Sequence, residues 1–344
     1  MSYGRALAWL YAQMAEGLRP PPELSVSAWA DRHRVLTTMA SAEPGPWRTA
    51  RVPYMREIMD RLSTHDPAET VVLMKGAQIA GTEAGNNWLG YVIDHAPGPM
   101  LVVLPTVDVA KRWSKQRLQP LIEACPVLKA KVRPSRERDS GNTVLAKEFA
   151  GGVIIVTGAN SAAGLRSMPV RALFLDEVDA YPPDADGEGD PIDLARKRTD
   201  TFARRKVLMV STPTVKGASR IESAYLDSDQ RRYWVPCPSC DVFQVLVWSQ
   251  VRWPPDQPEE ARYHCEACDH AIADHEKGRM LERGEWRPGA VGKPKVVGYH
   301  LSALYSPHGW KSWGAIAREF VDARHDPVRL KVWVNTALGE TWQE

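Results

Sequence analysis

Residues Val71–Thr82 read V-V-L-M-K-G-A-Q-I-A-G-T, and this stretch limits the possible folds more than any other. The opening apolar run, with its two valines, suits a strand buried on both faces, as in a parallel sheet. A turn of small residues follows, then a helical run from Thr82. Such a strand, turn and helix start bring unpaired N–H groups and the positive end of a helix dipole to one point. That is an anion cradle. The usual phosphate-loop pattern is G-x-x-x-x-G-K-[ST]. Here the lysine position holds Gly81, the second glycine position Ala80 and the first glycine position Lys75. The chemistry still needs a cation near the β- and γ-phosphates and a hydroxyl for Mg²⁺, and Lys75 and Thr82 supply both. Taken alone, the loop fits a small-residue turn of some other α/β protein equally well.

Two later runs complete the pattern. Val170–Asp179 reads V-R-A-L-F-L-D-E-V-D, an apolar strand ending in adjacent carboxylates. In phosphate-loop ATPases the strand beside the loop ends in an Asp that holds Mg²⁺ through water, and a following Glu polarises the attacking water. Asp176 and Glu177 fit those places. Lys206–Pro213, K-V-L-M-V-S-T-P, is a strand ending in Ser211 and Thr212, where such enzymes sense the γ-phosphate or couple hydrolysis to movement. These pieces, in this order, predict an α/β fold: a phosphate-loop NTPase with a central, mostly parallel sheet flanked by helices.

Cysteine spacing gives a second strong signal. Cys237 and Cys240 (C-P-S-C) and Cys265 and Cys268 (C-E-A-C) form two knuckles with the spacing of a four-thiolate zinc ribbon. Such a closed shell leaves no position for substrate, so Zn²⁺ there is structural. His264 and His270 flank the second knuckle as spare ligands, and lone Cys125 reads as a small buried hydrophobe. The chain has 344 residues and is 44% hydrophobic, enough for one large core and a small accessory module. Its net charge of +2 says little about nucleic acid, so any DNA-binding surface must be local. No apolar run approaches the roughly 20 residues of a membrane helix, and no signal-peptide pattern is visible, which predicts a soluble, intracellular protein with no membrane partner.

Helices are expected over 1–19 (Leu7, Leu10, Tyr11 and Met14 on one side), 27–36, 53–62, from Thr82 to about Tyr91, over 107–124 and over 196–205. Strands are expected at 99–105 and 152–158. Lys111, Arg112, Lys115 and Arg117, then Lys129, Lys131, Arg133, Arg136 and Arg138, form basic stretches that suit phosphate-backbone contact without sequence readout. The acidic cluster at 184–193 lacks the spacing of a calcium loop and reads as solvated.

The chain resembles the large terminase subunit of tailed phages, in its lambda-like branch. The likeness runs through Pro46–Asp60 (P-W-R-T-A-R-V-P-Y-M-R-E-I-M-D), K-G-A-Q-I-A-G-T-E, L-F-L-D-E-V-D, Glu188–Pro191 (E-G-D-P), Val210–Thr214 (V-S-T-P-T), the paired C-x-x-C motifs and Val334–Trp342 (V-N-T-A-L-G-E-T-W). It covers most of the chain, and the lysine at the front of the loop is its most diagnostic part. Ala80 departs from it, where glycine is expected.

The resemblance implies an ATPase motor driving double-stranded DNA into a procapsid, with ATP and Mg²⁺ as cofactors. Lys75, Gly76, Ala77, Gln78, Ile79, Ala80, Gly81 and Thr82 would surround the phosphates, Thr82 and Asp176 would hold Mg²⁺, and Glu177 would activate water. Ser211 and Thr212 would couple hydrolysis to motion. Arg166, with Arg171 as fallback, would reach a neighbouring subunit's nucleotide, the alternative being a pair with a nearby carboxylate. Trp47 or Tyr54 would stack on adenine, unless they are simply core. Implied partners are the small terminase subunit, the portal and procapsid, and copies of itself in a homo-oligomeric ring, in the cytoplasm of the infected bacterial host. The expected division is a helical lead-in (1–70), the ATPase core (71–228), the zinc ribbon (229–290) and a linker (291–344) towards a nuclease domain. That nuclease would begin where the sequence stops, so the expectation is a motor half without cutting activity. The alternatives are a helicase-like nucleic-acid ATPase, or a zinc-ribbon DNA-binding or assembly module whose degenerate loop no longer hydrolyses ATP.

Overall fold

In the computed structural model, which describes residues 7, 9, 11, 14, 23–39, 41–132 and 142–343, the apolar runs assemble into one ten-stranded sheet. Its strands in chain order are β1 (Thr70–Lys75), β2 (Met100–Leu104), β3 (Ala146–Phe149), β4 (Gly152–Gly158), β5 (Ala172–Asp176), β6 (Lys206–Ser211), β7 (Arg231–Pro236), β8 (Phe243–Val245), β9 (Glu285–Arg287) and β10 (Val296–Leu301). Their spatial order is β8-β7-β10-β1-β6-β5-β2-β4-β3, with β9 also pairing β7. From β7 across to β4 all neighbours run parallel, and only β3, β8 and β9 are antiparallel.

The continuous apolar composition of β1, β2, β5 and β6 reflects burial on both faces. Alternate side chains serve two layers. Leu73, Phe174 and Leu208 pack with Trp29, Ile58 and Trp88 from helices Val26–His33, Met55–Asp60 and Gly81–Asp94. Val72, Leu173 and Met209 face the other way, towards Ala162, Ile192 and Ile221 of helices Ala162–Leu165, Pro191–Arg196 and Arg220–Leu226. Burying one such side chain contributes roughly 1.5–3 kcal/mol, so these layers dominate the stability of the core.

Several expected elements shift. The strand beside β1 is not the one ending in Asp176: β6 lies between them, with Met74 opposite Ser211 and Asp176 opposite Val210. The helix expected over 196–205 instead runs Pro191–Arg196, because Asp190 caps the amides of Ile192 and Asp193 and Pro191 starts the first turn. The expected helix over 107–124 is interrupted by a π-type segment, Ser114–Leu118. The expected zinc-ribbon region supplies β7, β8 and β9 to the main sheet and keeps only a three-stranded sheet of its own (Val251–Arg252, Arg262–His264, Ala271–Ile272). The expected linker supplies β10, in register with β1 from Thr70 to Lys75. In the N-terminal helix, Leu7, Tyr11 and Met14 are exposed, and Leu10 lies outside the described residues.

Candidate functional site

The carboxyl ends of β1, β6 and β5 converge at one edge of the sheet, where Lys75, Ser211 and Asp176 stand side by side. Lys75 is 6% exposed and its Nζ lies 3.5 Å from Glu177 Oε1. To reach that point the lysine stem crosses the start of the following helix, so a Cβ on Gly81 would collide with Lys75 Cδ and Cε. The glycine in the usual lysine position is thus the space the displaced lysine occupies.

The turn between them alternates hand. Gln78 and Ala80 both have positive φ (57° and 65°), so Ala80 takes the left-handed conformation a glycine would favour. This fold of the backbone turns consecutive amides towards one concavity. Two of the expected phosphate-binding amides are committed elsewhere: Gly76 N–H donates to Leu301 O at 2.8 Å and Ala77 N–H to Thr336 O at 2.7 Å. Among the described residues, no acceptor meets the N–H groups from Gln78 to Thr82, and these form the open cradle.

Asp176 is 3% exposed with the Thr82 hydroxyl beside it, and its Oδ1 has no partner. Burial, then the adjacent Glu177 carboxylate, push its pKa up to about 7; Lys75 and the Thr82 hydroxyl pull the other way. A buried carboxylate oxygen without a partner, beside a hydroxyl, is a hard-oxygen donor set that fits Mg²⁺. Glu177 follows in the left-handed region (φ 55°), its N–H held by Val210 O at 2.7 Å, which turns its carboxylate out of the strand line towards Lys75. Ser211 Oγ accepts from Asp179 N–H at 3.2 Å and donates to Thr212 O at 3.0 Å, so it ties the β6 end to the residues just past Glu177.

Other expectations fare differently. Trp47 and Tyr54 are core side chains, at 5% and 0% exposure, with Trp47 Nε1 on Thr49 Oγ1 and Tyr54 edge-on to Tyr233. Arg166 is paired with Glu188. Arg171 precedes β5, at the opposite end of the strand from Asp176, and donates to Ala96 O. The acidic loop is built rather than merely solvated: Asp184 accepts from Gly189 N–H, Asp186 from Ala162 N–H, and Asp190 pairs with Arg220 at 3.0 Å. Of the basic residues, Lys111 pairs with Asp108 and Lys131 with Asp94, Arg112, Lys115 and Lys129 are exposed, and Arg133, Arg136 and Arg138 lie outside the described residues.

The four cysteines meet. Their sulfurs all lie within 4.8 Å of one another, with Cys237–Cys268 and Cys240–Cys265 both at 3.8 Å. A tetrahedral shell with Zn–S of about 2.3 Å requires sulfurs about 3.8 Å apart, so the residues fit zinc. Ser239 and Ala267 amides donate to Cys237 and Cys265 sulfurs at 3.4 Å, the support thiolate ligands need. His264 Nδ1 stands 3.5 Å from Asp269 instead of in the sulfur cluster. Cys125 is buried and accepts from Val35 N–H.

Sequence reasoning passed over Asp179, which holds Ile221 N–H and Thr214 Oγ1 at 2.8 and 2.9 Å, and Asn335, which bridges Thr214 and Glu340 carbonyls. Both lie in motifs quoted above, and nothing in their local pattern marks a bond to a residue more than thirty positions away.

The chain can now be set beside known proteins. The family model described as phage terminase large subunit gpA, ATPase domain, matches residues 41–286, and that of the terminase large subunit gpA endonuclease domain matches 296–344. The chain is 30% identical over 348 residues to the terminase large subunit of Enterobacteria phage P21, covering 94% of this chain and 53% of that protein. It is 29% identical over 349 residues to that of Escherichia phage lambda, covering 94% and 54%. It therefore spans about half the length of the curated relatives it matches. Among solved structures, the large terminase ATPase domain of Thermus phage P74-26 aligns at TM-score 0.47 and 13% identity, over 85% of this chain and 96% of that one. The large terminase of a second, thermophilic bacteriophage aligns at 0.35 and 13%, over 49% and 40%. The second family match corrects the expectation that nuclease-type sequence would begin only beyond Glu344: it starts at 296, with β10.

Proposed function

The chain belongs to the phage terminase large subunit gpA family, and we propose that it is the ATP-hydrolysing motor of a DNA-packaging terminase. The observation that carries this reading is the meeting of Lys75, Thr82, Asp176 and Glu177 at the strand ends, with the Lys75 stem in the space left by Gly81. The Gln78–Thr82 amides and Lys75 hold the β- and γ-phosphates. Thr82 and Asp176 would hold Mg²⁺, which when bound neutralises charge on the phosphates. Glu177 accepts the proton of the attacking water, after Lys75 turns from its carboxylate to the phosphate. Ser211 and Thr212 report the γ-phosphate to the loop that follows β6. Arg166, once released from Glu188, serves a neighbouring copy's nucleotide in a ring.

The Cys237, Cys240, Cys265 and Cys268 sulfurs would hold structural Zn²⁺. Exposed Arg112, Lys115 and neighbouring cations grip the backbone of double-stranded DNA, and the small terminase subunit and the portal of the procapsid are the assembly partners, in the host cytoplasm. Among the described residues no helix is long and apolar enough to cross a membrane.

The test is ATP hydrolysis with and without linear duplex DNA, for the wild type, Lys75→Ala and Glu177→Gln. Losing the base is expected to lower kcat by about 10²–10⁴-fold while nucleotide still binds. Lys75→Ala is expected to weaken both binding and turnover. Turnover that survives Lys75→Ala would assign the phosphate cation to another residue. Tight binding without any turnover would favour an assembly module.

A further inference from the structure

The Val334–Trp342 stretch has no part in the chemistry above, yet it touches both loops that do. At one end it meets the phosphate loop backbone to backbone. Ala77 N–H donates to Thr336 O at 2.7 Å. Gly339, at φ 64°, lies so close that a Cβ there would stand 2.7 Å from Gly76 N and 2.8 Å from Lys75 C. His300, 4% exposed on the strand beside β1, holds Gly339 in place. Arg232 Nη1 donates to its Nδ1 at 2.8 Å, which assigns the ring proton to Nε2, 2.9 Å from Gly339 O.

At the other end the stretch is bound to the loop after β6. Asn335 Nδ2 donates to Thr214 O at 2.7 Å and to Glu340 O at 2.8 Å. Trp342 N–H donates to Thr214 O at 2.8 Å, and Lys216 N–H to Trp342 O at 2.9 Å. Thr214 in turn gives its hydroxyl to Asp179, whose N–H rests on Ser211 Oγ. A connected path therefore runs from Ala77, hydrogen-bonded to Thr336, to the adjacent Asn335, and on through its bond to Thr214 to Asp179, just past Glu177.

We propose that Asn335 is a positioning residue for ATP hydrolysis, and that Val334–Trp342 is the element that makes the phosphate loop and the loop after β6 respond together to the occupancy of the nucleotide site. This rests on the ATPase reading above. Lys75 and Glu177 come from strands separated by β6, and their spacing is set by the two loops that the stretch joins. Asn335 is 8% exposed, and its chemistry suits that role, because one amide nitrogen donates to two carbonyls, which no carboxylate can do. Because Thr336, Ala337 and Gly339 meet Gly76 and Ala77 without intervening side chains, a shift of the phosphate loop cannot be absorbed by a rotamer change and must move the stretch.

Two measurements on the whole chain test this. In the wild type, hydrogen exchange is followed with Mg²⁺ and a non-hydrolysable ATP analogue, and the amides of Ala77, Lys216 and Trp342 are expected to gain protection together. In Asn335→Asp, assayed well below the variant's own unfolding midpoint, kcat is expected to fall about ten- to a hundredfold with KM and analogue affinity within about threefold of wild type. A merely structural role would instead raise KM and weaken analogue binding. Wild-type turnover with unchanged exchange in these amides, or full kcat in Asn335→Asp, would overturn this inference alone. A wild type that binds no analogue would remove the ATPase reading and this inference with it.

Discussion

The two chemical centres of this molecule handle polar demand in opposite ways. Around the cysteines the ligand atoms are matched within the chain: the sulfurs face one another, and Ser239 and Ala267 amides support them. Nearby Lys277, fully buried, is matched by Asp274 at 2.8 Å and by the Trp313 ring at 4.6 Å. At the Lys75–Thr82 loop the demand stays open. The Gln78–Thr82 amides face no described acceptor, Asp176 Oδ1 has no donor, and Gln78, Ala80 and Glu177 all hold positive φ. A closed shell suits a metal that holds chain together, whereas open amides and a buried lone carboxylate cost stability until a ligand meets them. Damage at the first centre should therefore read out as lost fold, and damage at the second as lost chemistry.

Cys265→Ser makes the harshest test of that division. The tetrad lies where β7 leaves the main sheet and before β9 returns to it, with β8 between its two knuckles, so losing a metal held there would untie three sheet strands. Structural zinc in such sites carries apparent binding energies of about 10–16 kcal/mol, much of it folding energy. Zinc content should drop from one per chain to near zero, and the unfolding midpoint by about 5 °C or more. Lys75→Ala and Glu177→Gln should leave the midpoint within about 2 °C. A serine variant that kept its midpoint would erase the contrast, because the tetrad would then hold nothing together.

A smaller effect should come from His300, which stands between the two centres. Burial, then Arg232, push its pKa down to about 3; an unfolded histidine titrates near 6.5. Between those values the unfolded chain binds a proton that the folded chain refuses, so stability is complete above about pH 6.5 and falls as pH drops. The loss from this one group is about 1.4 kcal/mol per pH unit. Urea titrations at pH 7.5 and 5.5 should show wild type losing about that much more than His300→Gln. Equal losses would mean that His300 is not the neutral ring that anchors Gly339, and that the phosphate loop is held by backbone contacts alone.

How much of this was legible in advance follows from the range of the interactions. The loop, the carboxylate pair and the cysteine knuckles are local patterns, and the fold brings Lys75 Nζ to 3.5 Å from Glu177 and the four sulfurs within 4.8 Å of one another. The insertion of β6 between β1 and β5, the entry of β10 beside β1, and the bond from Asn335 to Thr214 depend on strand order and on contacts across long stretches of chain. Period and propensity carry no information about these. Trp47 and Tyr54 show the opposite limit: an aromatic near a site reads alike whether it stacks on a base or fills the core, and burial decides for the core.

Ala80 offers the finest test. It sits at φ 65° in a turn where the usual pattern has glycine. Holding a residue with a Cβ in the left-handed region costs about 1–2 kcal/mol, while glycine loses about 0.5–1 kcal/mol more backbone entropy on folding. The two nearly cancel, so Ala80→Gly should stabilise the chain by no more than about 1 kcal/mol, with nucleotide affinity kept or slightly raised. Ala80→Val puts a β-branched residue in the same turn and should cost more than about 1 kcal/mol and weaken nucleotide binding as well. Urea titrations of both variants, paired with binding of a fluorescent ATP analogue, separate strain from entropy. A glycine that destabilises by more than about 1 kcal/mol would mean the left-handed alanine is relaxed here. The phosphate loop would then be as self-sufficient as the cysteine knuckles, and its openness would lie only in the unmet amides and the lone oxygen of Asp176.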